Sequence, residues 1–136
     1  MFLTYKLLSL ERQLIKFIIN HTMKFVINNK GKNIELEVRK LGFIARFFGM
    51  MFRSRKTENL LFDFGEDIHL HFHSLFVFFP FLIIWLDSQD RILDFRAVKP
   101  FTLNICTGKF FRKVVEIPIN EKNKIIINKI VKAKSH

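Results

Sequence analysis

The spacing of apolar positions changes early along this chain, from every third or fourth residue to every second. In residues 1–22, Leu3, Leu7, Leu10, Leu14 and Phe17 alternate steps of four and three, while Lys6, Ser9, Arg12, Gln13 and Lys16 fall between them. That spacing predicts an amphipathic helix. It is not a secretory signal, because Lys6, Glu11, Arg12 and Lys16 interrupt any continuous apolar stretch. Three readings of the segment compete: a packing or oligomerisation helix, an interfacial membrane helix, and a non-native extension preceding a start at Met23.

From Met23 the period is two. Residues 24–28 and 34–38 alternate on either side of Asn28-Asn29-Lys30-Gly31-Lys32, and Asn and Gly accept the positive φ of a tight turn, so a β-hairpin is predicted. Leu41, Ile44, Phe47, Phe48 and Met51 then follow helical spacing up to Gly49, which predicts a short helix around 40–48. Residues 60–64 read as a strand. Beyond Gly65-Glu66-Asp67, Ile68, Leu70 and Phe72 alternate with His69, His71 and His73, which places the three histidines on one strand face. The apolar run 75–86 reads as two buried strands meeting at Pro80, and 91–98, 101–106, 110–119 and 124–131 as further strands. The expectation is a mainly β domain over 23–131 with a basic tail at 132–136. Residues 68–86 lack a formal charge and approach the ~20 residues of a membrane-spanning helix. The three histidines, Ser74, Pro80 and the enrichment in Phe, Ile and Val favour buried strands instead, so no transmembrane span is expected.

Composition adds two points. Of 136 residues 49% are hydrophobic, enough for a core, and the single cysteine, Cys106, excludes a disulfide framework and suits a reducing, cytoplasmic setting. The formal net charge of +11 favours anionic partners, and it is segregated. Residues 39–57 contain only basic charges, residues 58–95 are dominated by acids, and 96–136 are basic again. With eighteen phenylalanines in so short a chain, some are expected at the surface, where they would support an interface such as a homodimer.

Gly49-Met50-Met51-Phe52-Arg53 resembles the Gly-Leu-Met-Phe-Arg stretch of the prokaryotic domain of unknown function family 192. Leu60-Leu61-Phe62, Phe72, Pro80, Ile83 through Asp87, and Glu116-Ile117-Pro118 resemble further landmarks of that family in the same order. The resemblance implies a compact fold similar to a jelly-roll-like β-sandwich or barrel, and no settled activity. It singles out Gly49, Met51, Arg53, Phe72, Pro80, Asp87, Glu116 and Pro118, with Arg53 expected to buttress the fold by pairing with a buried acid such as Glu116. Two departures stand out: Ser74-Leu75-Phe76-Val77 replaces a polar run, and Leu82 stands where the family has Asp.

Candidate chemistry is sparse. His69, His71 and His73 offer two or three imidazoles to a zinc ion, but no companion ligand stands at diagnostic spacing, so zinc is admitted and not favoured over a solvated strand face. Cys106 lacks a setting that would activate a thiol. Phosphate loops and dinucleotide fingerprints are absent from the sequence, and Asp87, Asp90 and Asp94 suit turn chemistry. Arg46, Arg53, Arg55, Lys56, Lys109, Arg112 and Lys113, interleaved with aromatics, are the candidate contacts to an anion or nucleic acid. A non-enzymatic binding or scaffold module, using a cleft or a basic face, is the favoured function. A nucleic-acid binder, a metal-dependent enzyme on the histidine face, and a protein peripheral to the membrane are the alternatives.

Overall fold

In the computed structural model of the protein, the residues described are 9–10, 22–42 and 49–132. Among the described residues from 22 onward, six strands and one helix follow in chain order: β1 (Met23–Asn29), β2 (Lys32–Lys40), β3 (Asn59–Ile68), β4 (Phe81–Leu86), β5 (Ile92–Val98), β6 (Phe111–Pro118) and α1 (Lys124–Lys132). The hairpin forms as its sequence predicts. Lys30 and Gly31 take φ of 52° and 85°, the doubly positive pair that matches the twist of β1 and β2, and the Gly31 N–H donates to Asn28 Oδ1 at 2.9 Å.

The strands form a single sheet in the order β1-β2-β3-β6-β4-β5. Neighbours are antiparallel except β2 and β3, whose parallel pairing requires the crossover of residues 41–58. The sheet curls into a half-barrel, because Asn28 of β1 bridges to Arg91 beside β5 and its N–H donates to Asp90 O at 2.9 Å. A bulge in β3 aids the curl: the register to β6 shifts between Asp63 and Ile68, where Gly65 takes φ of 74°.

Both faces of the sheet are covered. On one, Phe25, Ile27, Leu36, Leu82, Ile84 and Ile117 pack with Ile130 of α1. On the other, Leu60, Phe62, Phe81, Ile83, Trp85 and Val114 lie beneath residues of the loops 49–58, 69–80 and 99–110. Strand β4 alternates between the two and is buried throughout, which explains its unbroken apolar sequence. Each of its large side chains contributes roughly 1.5–3 kcal/mol by leaving water.

Several sequence expectations are corrected here. The architecture is one curled sheet and not two packed ones, so the jelly-roll-like sandwich is replaced by a half-barrel. Residues 124–131 form a helix, since Ile126, Ile127 and Ile130 meet the core at steps of three and four. The β-propensity of isoleucine misleads there, and the Asn120 side chain, accepting from Asn123 N–H at 2.9 Å, shapes the turn before the helix. Residues 75–79 and 101–106 are irregular, save a bridge of Phe72 to Ile105, because Phe76 and Phe101 adopt positive φ. Strand β3 ends at Ile68, so His69, His71 and His73 follow it as irregular chain and share no strand face. The predicted helix over 40–48 begins where β2 still runs, and its residues 43–48, Arg46 among them, lie outside the described residues. So does the predicted N-terminal helix, apart from Ser9 and Leu10, which are helical. No helix among the described residues is long and apolar enough to cross a membrane.

Candidate functional site

Strand β6 carries an acid at a position where its alternation turns the side chain inward. Glu116 is buried, and desolvation pushes its carboxyl up to about 8, against the opposing pull of the Arg53 guanidinium. Its Oε2 has no hydrogen-bond partner among the described residues. Gly49 closes over it: with φ of 47°, the position favours glycine, and a Cβ there would stand 3.4 Å from both Glu116 Oε2 and Phe62 Cζ. Arg53 Nε donates to Gly49 O at 2.8 Å, which fixes the turn. Thus Gly49, Arg53 and Glu116 come together from distant segments, yet the Arg53 guanidinium is within 4.0 Å of Glu58 and acts on Glu116 through space.

Glu58 joins a second cation. It accepts from Arg39 of β2 and from Thr57 Oγ1, and although desolvation raises its carboxyl, these hydrogen bonds and the Arg39 charge hold it below its ordinary value. Burial and the neighbouring Arg39 charge lower the Arg53 guanidinium, opposed by Glu58 and Glu116. A cleft of about 290 Å³ runs beside this cluster, lined by Thr57, Glu58, Asn59, Glu37, Lys122 and Asn123 among others. The remaining landmarks take part in packing and in turn hydrogen bonds. Phe72 packs in the aromatic cluster of Phe64 and Phe111, Met51 packs against the core, and Pro80 O accepts from Ile119 N–H at 3.0 Å. Asp87 accepts from Gln89 N–H, Arg91 N–H and Arg91 Nε, which hold its carboxyl below the usual range despite desolvation. Pro118 ends β6, and its O accepts from the buried Asn123 amide.

The histidines are engaged with backbone and amide groups. His69 Nε2 donates to Thr107 O at 2.9 Å, His71 Nδ1 meets the Asn104 side chain at 2.7 Å, and His73 Nδ1 accepts from Leu75 N–H at 3.2 Å. The His69 and His71 rings stand 5.6 Å apart, but no group of three His, Cys, Asp or Glu side chains among the described residues is placed to hold a metal ion. The basic candidates are dispersed. Lys113 pairs with Asp90 at 2.7 Å, Arg112 with Asp67 at 3.3 Å, and Lys109 Nζ donates to Leu93 O, whereas Arg55 and Lys56 stay exposed on the loop that carries Phe52.

Sequence reasoning foresaw exposed phenylalanines without locating them. Phe52, Phe76, Phe78 and Phe101, from three loops, form one chain of ring contacts: Phe52 stacks on Phe76 at 5.1 Å, Phe76 meets Phe101 at 6.3 Å, and Phe101 meets Phe78 at 5.4 Å. Phe52 and Phe78 remain 69% and 63% exposed, too open to be core residues. The loops are tied beneath them. Phe52 N–H donates to Phe76 O at 3.0 Å, while the buried Ser74 hydroxyl donates to Lys99 O at 2.8 Å and accepts from Thr102 N–H at 2.6 Å.

The fold and this geometry define a small half-barrel domain with a sealed acid at its centre and an aromatic loop face outside. Residues 25–129 match the family described as an uncharacterized ACR, domain of unknown function family 192, and the chain belongs to it. A UPF0127 protein of Pyrococcus furiosus is 35% identical over 74 residues; the match spans 53% of this chain and 64% of that relative, a little under two thirds of its length. Two solved structures share the fold. A Sinorhizobium meliloti protein, provisionally described as a transcription regulator, superposes with TM-score 0.64 at 20% identity over 77% of this chain and 84% of its own. A Novosphingobium aromaticivorans protein of unknown function gives TM-score 0.64 at 14% identity over 77% and 78%.

Proposed function

We propose that this protein is a binding module whose working surface is the loop face of Phe52, Phe76, Phe78 and Phe101. The observation that carries the reading is the conjunction of exposure with strain. Phe52, Phe76 and Phe101 hold φ near 59°, a left-handed conformation costly for a bulky side chain, and they remain open to water. Neither backbone preference nor burial accounts for them, whereas a surface kept for contact does. Glu116, by contrast, is buried beneath Gly49 and Phe62.

The nucleic-acid reading draws on the net charge and on the description of the Sinorhizobium protein. It has less support, because Arg112 and Lys113 are matched by acids and Phe52 and Phe76 stack on each other. Titration of the native protein with bis-ANS tests the binding face, since the dye reports exposed apolar surface. Wild type is expected to enhance its fluorescence in the folded baseline, and the Phe52→Asn/Phe78→Ser double variant to lose most of that enhancement. Equal enhancement in both proteins, or none in wild type, overturns the reading.

A further inference from the structure

We propose that the loop face docks on an anionic lipid bilayer, with Phe52, Phe76, Phe78 and Phe101 entering the boundary between headgroups and acyl chains and Arg55, Lys56 and Lys99 meeting the phosphates. The inference rests on the reading of that face as the working surface, and it adds the partner. Charge selects that partner. The three loops carry Arg53, Arg55, Lys56, Lys99 and Lys109 against one acid, Glu58, which is already paired with Arg39. Residues 69–80, between the two basic loops in sequence, have no formal charge and supply Phe76 and Phe78.

A second copy of the chain fits poorly, because two such faces would bring like charges together. A single-stranded nucleic acid needs ring faces on which bases stack, and here the first ring pair is stacked on itself, with the aliphatic Leu103 exposed nearby in sequence. Exposed apolar rings and Leu on loops that also carry Lys and Arg are the composition of a surface that lies in a bilayer interface. The tight mooring of the loops by Ser74 presents the rings together, so insertion requires little further ordering.

The test is flotation of the full chain with vesicles of equimolar phosphatidylglycerol and phosphatidylcholine, and with phosphatidylcholine alone, at low and high salt. Wild type is expected to bind the anionic vesicles at low salt, weaken at high salt, and ignore the neutral ones. Phe52→Asn/Phe78→Ser is expected to lower partitioning at least about tenfold. Arg55→Gln/Lys56→Gln is expected to lower it about fivefold for each charge removed, with Lys24→Gln on β1 as the unaffected control. Circular dichroism and thermal unfolding verify that the variants fold.

Vesicle binding that persists in the double phenylalanine variant overturns the proposal, since another segment then makes the contact. Bis-ANS enhancement that depends on Phe52 and Phe78 without vesicle binding refutes the lipid partner and leaves the binding face standing. Loss of both signals in wild type sinks both. Binding of single-stranded RNA that the phenylalanine variant abolishes, in the absence of vesicle binding, replaces lipid with nucleic acid.

Discussion

Replacing Glu116 by Gln separates the electrostatic cost of the buried acid from its packing. The folded carboxyl titrates at about 8 against an ordinary 4.5, so the native state holds a proton that the unfolded chain releases. Stability is therefore fullest below the unfolded value and is lost as pH rises towards the folded one, at up to ~1.4 kcal/mol per pH unit. Between pH 5 and pH 7 wild type should lose up to about 2.5 kcal/mol that the variant retains. The amide puts two N–H donors in place of the single O–H of the protonated acid beside Gly49, where Oε2 has no partner among the described residues, so the variant begins below wild type at pH 5 and overtakes it near neutrality.

The assay is urea denaturation at constant ionic strength from pH 5 to pH 8, followed by the fluorescence of Trp85, the only tryptophan and fully buried. A second variant, Arg53→Met, removes the charge that draws the Glu116 carboxyl down and should extend the sloping region to higher pH while its lower edge stays in place. Parallel stability curves for wild type and Glu116→Gln would refute the reasoning, since any group common to both proteins cancels in their difference.

Four further outcomes follow from the same geometry. Glu58→Gln is expected to cost about 1–2 kcal/mol at pH 7, a buried-pair value discounted for partial exposure; because the folded Glu58 carboxyl is depressed, the gap to wild type should close as pH falls below its ordinary 4.5, and a gap that persists in acid would count against the pairing. Gly49→Ala is expected to lose about 1–2 kcal/mol from its positive φ and the 3.4 Å approach to Glu116 and Phe62; an unchanged denaturation midpoint would contradict this. Phe52→Asn is expected to raise stability by about 0.5–1 kcal/mol in buffer, since asparagine tolerates the left-handed region; a lower melting temperature would show that the ring stack outweighs the strain. Ser74→Ala is expected to speed hydrogen exchange at the Thr102 amide by roughly tenfold, from the loss of a hydrogen bond worth about 1–1.5 kcal/mol; equal protection would mean the loops are held by other contacts.

The parts of the fold that were legible share one property: local sequence and tertiary packing demand the same conformation. The first hairpin has period-two alternation and turn residues that agree with the sheet, and Lys30-Gly31 takes the backbone that its sequence favours. The misread segments are those where the demands diverge. Three consecutive isoleucines predict a strand at 125–127, but placing Ile126, Ile127 and Ile130 on one stripe against the sheet favours a helix. Phe76 and Phe101 prefer extended backbone and are bent to positive φ, so the runs around them cannot continue as strands.

The buried acid was visible only as a landmark, because its protonation depends on Gly49, Phe62 and Arg53, which chain spacing does not relate to β6. The aromatic face was invisible for the converse reason: an exposed phenylalanine and a buried one look alike in a sequence with eighteen of them. In three of the exposed ones, Phe52, Phe76 and Phe101, the backbone is also held at positive φ, a cost that the sequence does not show. At Glu116 the cost is a carboxyl kept from water; at Phe52, Phe76 and Phe101 it is a backbone kept left-handed. The first lies inside the protein, where Gly49, held by the Arg53 bond, packs closely over Glu116 of β6. The second is met, among the described residues, by ring contacts that stay at the surface and by turn bonds such as Phe52 N–H to Phe76 O, which agrees with the proposal that the working surface is the one the three loops present.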